Sequence, residues 1–271
     1  MKRFTQTFLV AFAALVLTSN LAAQEQKQNF VTVTTLHWNL QKLNFDQKDW
    51  IALEKEYLDK VTKKNEFILE QTVLMHHFTA DNSELLLITT YPSWEAIEKA
   101  GKKSDELVMA AWPDEKARNA YFEKKEAFYA GNHSDEIYKT TPGVKNAAAK
   151  SDKAMVYYVR KSHWAFPKDG NEKEFGALAT KFLDATTYKN DLVKSYYSLV
   201  HAWGSDNTEL VETFVVDNMG DIEKLNEKNR ELFRAAMPDE AKRKEFNTAY
   251  GKYFTRVHAD YIYKSVPELM K

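Results

Sequence analysis

His133-Ser134-Asp135-Glu136-Ile137-Tyr138-Lys139 returns further along the chain as His258-Ala259-Asp260-Tyr261-Ile262-Tyr263-Lys264. At the same spacing Ala110-Ala111-Trp112-Pro113-Asp114-Glu115 returns as Ala235-Ala236-Met237-Pro238-Asp239-Glu240, and Asp81-Asn82-Ser83-Glu84-Leu85 as Asp206-Asn207-Thr208-Glu209-Leu210. With that offset of 125, residues 50–142 align on 175–267 without a gap, and 31 of the 93 positions are identical, several times what composition alone would produce. Upstream, with the offset longer by one, His37-Trp38 matches His163-Trp164. The chain is a tandem duplication of one module.

Within each copy the hydrophobic period switches in a fixed order. Val31 to Trp38 and Met155 to Trp164 are short and β-rich. Trp50, Leu53, Tyr57, Leu58 and Val61 recur at helical spacing, as do Phe175, Leu178, Phe182 and Leu183. Two strand-like runs follow, Phe67–Thr79 and Glu84–Tyr91, joined by an Asp-Asn turn. Trp94, Ile97, Leu107, Val108 and Ala111 mark a second helix, which Pro113 interrupts. Acids open a third, where Pro-Asp-Glu reads as capping and dipole chemistry. Ile137 to Thr140 closes the unit as a last strand. The order β-α-β-β-α-(α)-β is the ferredoxin-like plan, an α+β class. The expected modules are 24–142 and 154–271, joined by a linker at 143–153 that holds Gly143 and Ala147-Ala148-Ala149.

A lone ferredoxin-like sheet leaves one apolar face uncovered. A second copy can bury it. This arrangement resembles the dimeric α/β-barrel superfamily, here as two βαββαβ modules packed sheet to sheet in an intramolecular pseudo-dimer, expected to be monomeric. The resemblance implies a small-molecule ligand, compact and hydrophobic or aromatic. It also implies oxygenase activity of cofactor-free or haem-degrading kind, or haem binding. The haem-degrading kind wants an Asn, a Trp and a His in one pocket. Trp and His are repeated here, whereas Asn65 and Asn190 read as stops to the first helix of each copy.

Lys2 and Arg3, the apolar run Phe8 to Leu17, and Ala22-Ala23 before Gln24 read as a secretory signal over 1–23, too short for a membrane span. The chain is expected to be exported, periplasmic or secreted. It has no cysteine, so disulfides and thiolate metal sites are excluded. A formal net charge of −1 with interspersed Lys and Glu gives no nucleic-acid footprint.

Six of the seven histidines fall into matched pairs: His37 with His163, His76 with His201, and His133 with His258. In an antiparallel ferredoxin-like sheet all three of one copy gather at one end, with Asp135 nearby. Imidazoles beside a carboxylate could supply a general base, with His133, His258, His76 and His201 as catalytic candidates. They could also ligate a divalent metal or a haem iron, though no H-x-H or H-E-x-x-H spacing occurs. For any single pair, fixing a loop or edging the core is the plainer role. Trp38 and Trp164 adjoin a His on a strand, so one of each couple faces the helices and the other the sheet's second face. His37, His163, Trp38, Trp164, Tyr138 and Tyr263 are the ligand-wall candidates, with core packing the plainer role for the Trp and Tyr pairs. A monooxygenase-like enzyme and a non-catalytic ligand- or haem-binding module both fit.

Overall fold

The structure, a computed structural model, describes residues 28–42, 44–147 and 151–271. The expected signal at 1–23 and positions 148–150 of the expected linker lie outside the described residues.

The first copy runs β1 (Phe30–His37), α1 (Gln47–Lys60), β2 (Glu70–Phe78), β3 (Glu84–Tyr91), α2 (Trp94–Ala111), α3 (Glu115–Glu126) and β4 (Ser134–Thr140). The second runs β5 (Val156–Trp164), α4 (Glu172–Ala185), β6 (Ser195–Trp203), β7 (Glu209–Val216), α5 (Gly220–Ala236), α6 (Glu240–Gly251) and β8 (Phe254–Ser265). β4 and β8 begin earlier than their apolar residues suggest. Their first residues are drawn into pairing with β1 and β5, as Thr35 with Ser134 and Lys161 with Ala259 show. The Pro-Asp-Glu segments cap as expected, since Asp114 accepts from the amide of Ala117 and Asp239 from that of Lys242.

All eight strands close into one antiparallel barrel in the order β1-β3-β2-β8-β5-β7-β6-β4. Each copy contributes four neighbouring strands, and the copies meet at two seams, β2/β8 and β4/β6. Every strand sends a side chain into the buried interior, among them Val31, Leu74, Leu86, Tyr138, Val159, Leu199, Val211 and Tyr263. Helices cover the outer wall, packing Trp50 of α1 with Val73 and Leu85 in the first copy and Leu225 of α5 with Tyr158 and Phe214 in the second.

A reciprocal clasp locks the seams. After β4 the chain crosses to the second copy, where the Lys145 amide donates to Tyr196 O and its Nζ reaches the carbonyls of Thr187 and Asn190. After β8 the chain returns, and the Lys271 amide donates to Gln71 O while its Nζ reaches the carbonyls of Thr62 and Asn65. The acceptors occupy matched positions. The first residues of the expected linker therefore belong to this clasp.

Asn65 and Asn190 do more than end a helix. Both are fully buried. The Asn65 amide donates to Ala100 O and Ser104 Oγ and accepts from the Phe67 amide; Asn190 repeats this with Leu225 O, Asn229 Oδ1 and the Leu192 amide. Each ties the turn after the copy's first helix to its second helix. Replacing either by Ala strands these groups, and a loss of about 2–4 kcal/mol is expected for each variant in urea unfolding. Near-equal losses would show that both halves rely on the strut alike.

Candidate functional site

Because every barrel neighbour is antiparallel, β1, β2, β5 and β6 end at the same rim where β3, β4, β7 and β8 begin. The six matched histidines therefore collect at one mouth of the barrel rather than at two separate ends. They divide into two sets.

His37, His76, His163 and His201 share the register positions that face the barrel interior. His37 Nε2 stands 3.4 Å from Asp81 Oδ2, and its Nδ1 lies 3.1 Å from Asn132 Nδ2. His76 Nδ1 contacts Thr79 Oγ1 at 2.7 Å. In the second copy His163 Nδ1 is 3.2 Å from Asp206 Oδ2 and 3.0 Å from Thr208 Oγ1. Both aspartates are turn formers: the Ser83 hydroxyl and amide hold the Asp81 carboxyl below its usual value, and Thr208 does the same for Asp206, with the histidines adding to the effect. His201 differs, since its Nδ1 is buried with no hydrogen-bond partner. The cause is local. Gly204, with φ of +144°, stands where the first copy has Thr79, so no hydroxyl is available. A Cβ there would collide with the Glu136 carboxylate, which accepts from the Ser205 amide and hydroxyl across the β4/β6 seam.

Tyr138 and Tyr263 cross the seams in opposite directions. Tyr138 donates to Glu209 Oε2 at 2.6 Å, and Tyr263 donates to Glu84 Oε1 at 2.9 Å. In strand register Tyr138 pairs with His201 and Tyr263 with His76. Burial, reinforced by the adjacent glutamate, pushes both phenols well above their ordinary value, so they act as donors and not as phenolates. Lys161 adds a 3.3 Å ion pair to Glu209. The first copy has Thr35 in that place.

His133 and His258 form the second set. They pair with Asp135 and Asp260 at 3.3 and 3.2 Å, and the two imidazoles are about half exposed. Asp135 accepts from the Thr34 hydroxyl, and Asp260 from Tyr158 and Arg160. These partners lie on the outer face of the sheet, so His133 and His258 stand beside the mouth on its outer wall.

Trp38 and Trp164 turn to the helices. Trp38 packs edge-on against Trp50 and Phe45 and stacks on Tyr129; Trp164 meets Phe175 edge-on and stacks on Phe254. Beside Trp38 opens a recess of about 200 Å³, walled also by Leu40, Phe45 and Met75, with Asn39, Lys42 and Gln47 at its polar edge. Two larger recesses lie on the second copy, about 430 Å³ at Ala177, Phe233 and Met237, and about 1050 Å³ between α5 and α6. No histidine lines any of the three. A histidine-ligated haem needs an imidazole facing a cavity that admits the macrocycle, and none of the three recesses supplies one. Among the described residues, no three His, Asp or Glu side chains are grouped to hold a metal ion.

One group had no matched partner to announce it. Glu212, where the first copy has Leu87, lies between the second copy's sheet and helices and accepts from the Tyr196 hydroxyl at 2.7 Å. Burial holds its carboxyl above the ordinary range, against the lowering pull of Tyr196 and Arg160. A carboxyl whose folded value is raised stabilises the fold fully below its unfolded value and loses that contribution as pH rises through the folded value. Glu212→Gln is therefore expected to melt above the parent near neutrality, with the difference closing toward about pH 4; melting curves from about pH 4 to 8 test this.

No protein-family model and no curated protein sequence matches the chain. Solved structures do. A Fusobacterium nucleatum protein named "Putative monooxygenase" superposes with a TM-score of 0.55 at 10% identity, covering 89% of this chain and 93% of that one. A mutant of the chlorite dismutase from Candidatus Nitrospira defluvii superposes with a TM-score of 0.51 at 10% identity, covering 89% and 92%. At such identity the likeness concerns fold. The chain has the fold of the dimeric α/β-barrel superfamily, with both units in one polypeptide.

Proposed function

We propose that this is an exported small-molecule-binding α/β-barrel protein whose ligand is a compact hydrophobic or aromatic molecule. The observation that carries the reading is the recess at Trp38. It is apolar on three sides and polar at one edge, which is how ligand pockets are built, and its 200 Å³ suits a single ring more than a drug-sized body. Trp38 is held there by Trp50 and Tyr129, so it offers a rigid wall for a planar ligand. Export rests on Lys2, Arg3, the apolar run Phe8 to Leu17 and Ala22-Ala23. Monooxygenase-like chemistry on the bound ring is the enzymatic form of this reading. Simple sequestration is its non-catalytic form.

Calorimetric titration with hydroquinone tests the binding. Saturable binding is expected, weakened about tenfold by Leu40→Asp, a change at an exposed wall position that leaves the core intact. Trp164→Ala should leave affinity unchanged. A flat titration with a well-folded sample sinks the proposal. Oxygen uptake with the same compound separates the two forms: consumption that falls in Leu40→Asp supports the enzyme, and none supports the binding module.

A further inference from the structure

The largest of the three recesses, about 1050 Å³, opens between the C-terminal half of α5 and α6 and reaches the start of β8. Its lining is cationic. Arg230, Arg234, Lys244 and Arg256 are exposed around it, and none of the four side chains has an ion pair or hydrogen bond among the described residues. Two further cations are already engaged: Arg243 donates to the carbonyls of Met237 and Pro238 at the end of α5, and Lys252 pairs with Asp169 and Glu174. Glu240 is the lone acid of the lining. The floor is apolar, made by the half-buried rings of Phe233 and Phe254, the latter stacked on Trp164.

The duplication supplies an internal control. Where the second copy has Arg230, Arg234, Lys244 and Arg256, the first has Asp105, Met109, Asn119 and Gly131. Only the structural arginine is kept, as Arg118, and it too caps the preceding helix by donating to Trp112 O. The fold needs Arg118 and Arg243; it does not need the other four. Arg256 also holds a φ of +68°, a left-handed conformation that costs free energy at a residue other than Gly, whereas the first copy places Gly at the matched position. Unpaired guanidinium groups crowded on one concavity repel each other, and an arrangement that tolerates this fits one that gains a counter-charge.

We propose that this groove binds an organic anion: an apolar or aromatic body carrying two or more carboxylate, phosphate or sulfonate groups. Guanidinium forks pair with such oxyanions bidentately, and the two phenylalanine rings receive the body. The site lies apart from the Trp38 recess and is independent of it. A chain-wide charge near zero conceals it, because the surplus is confined to one face of one copy.

Titration of the full chain with naphthalene-1,5-disulfonate, inorganic phosphate, a neutral naphthalene diol and a short single-stranded oligonucleotide tests it. Saturable binding of the disulfonate is expected, weakening with added salt. The variant Arg234→Met with Arg256→Gly, which restores the first copy's residues at exposed positions, should lose about tenfold per guanidinium removed while melting no lower than the parent. Unchanged affinity in that variant overturns the proposal, as does a disulfonate that fails to bind. Phosphate binding as tightly as the disulfonate would show that the apolar floor plays no part. An oligonucleotide bound in preference to the disulfonate would assign the face to a nucleic acid instead.

Discussion

Each four-stranded sheet has apolar side chains on both faces, and one layer of helices can cover only one of them. The other face must meet a second sheet or remain in water, where an exposed apolar surface of that size drives association. The barrel is the solution to that constraint. Ten interior residues drawn from all eight strands form one buried cluster, so neither copy owns the core. The seams, the crossing tyrosines and the two lysine clasps follow from it. Each strengthens a boundary that exists because four unpaired sheet edges and two bare faces had to be closed together.

The chemistry of the mouth is tied to the same boundary. Tyr138 and Glu209 belong to different copies, as do Tyr263 and Glu84, so these polar contacts exist only when the barrel is shut. Buried polar groups are tolerable when paired, and the carboxylates across the seams pair the phenols. Among the described residues of the mouth, the exception is His201. Its orphaned nitrogen arises from Gly204, which in turn makes room for Glu136 at the neighbouring seam. One seam thus traded a satisfied imidazole for a carboxylate latch.

The element order was legible in the residues because hydrophobic period changes sharply between strands and helices, and because two copies voiced the same pattern. Barrel closure was legible too, from the physical need of a bare sheet face. The histidine pairs were correctly placed at one edge by topology, yet topology alone does not say which face of a strand a side chain near its end will take. His37 and His76 face inward and share the field of Asp81, whereas His133 precedes a strand whose Asp135 faces outward and draws it there. Matched positions mark only what both copies keep, so they do not mark Glu212 or the arginines of α5 and β8, which only one copy has. Asn65 and Asn190 are matched too, but two of the three hydrogen bonds of each reach a second helix 35 to 39 residues away, a distance no local pattern spans.

A barrel made from two identical chains is bound by its two-fold axis: any substitution appears twice, and both seams change together. With the halves joined, a glycine at 204 need not be matched by one at 79, nor a glutamate at 136 by one at 261. A change that helps one wall and would ruin the other becomes permissible. The fused chain keeps the geometry of a dimer while giving up its obligatory equivalence, and the one-sided cationic groove is what such freedom permits.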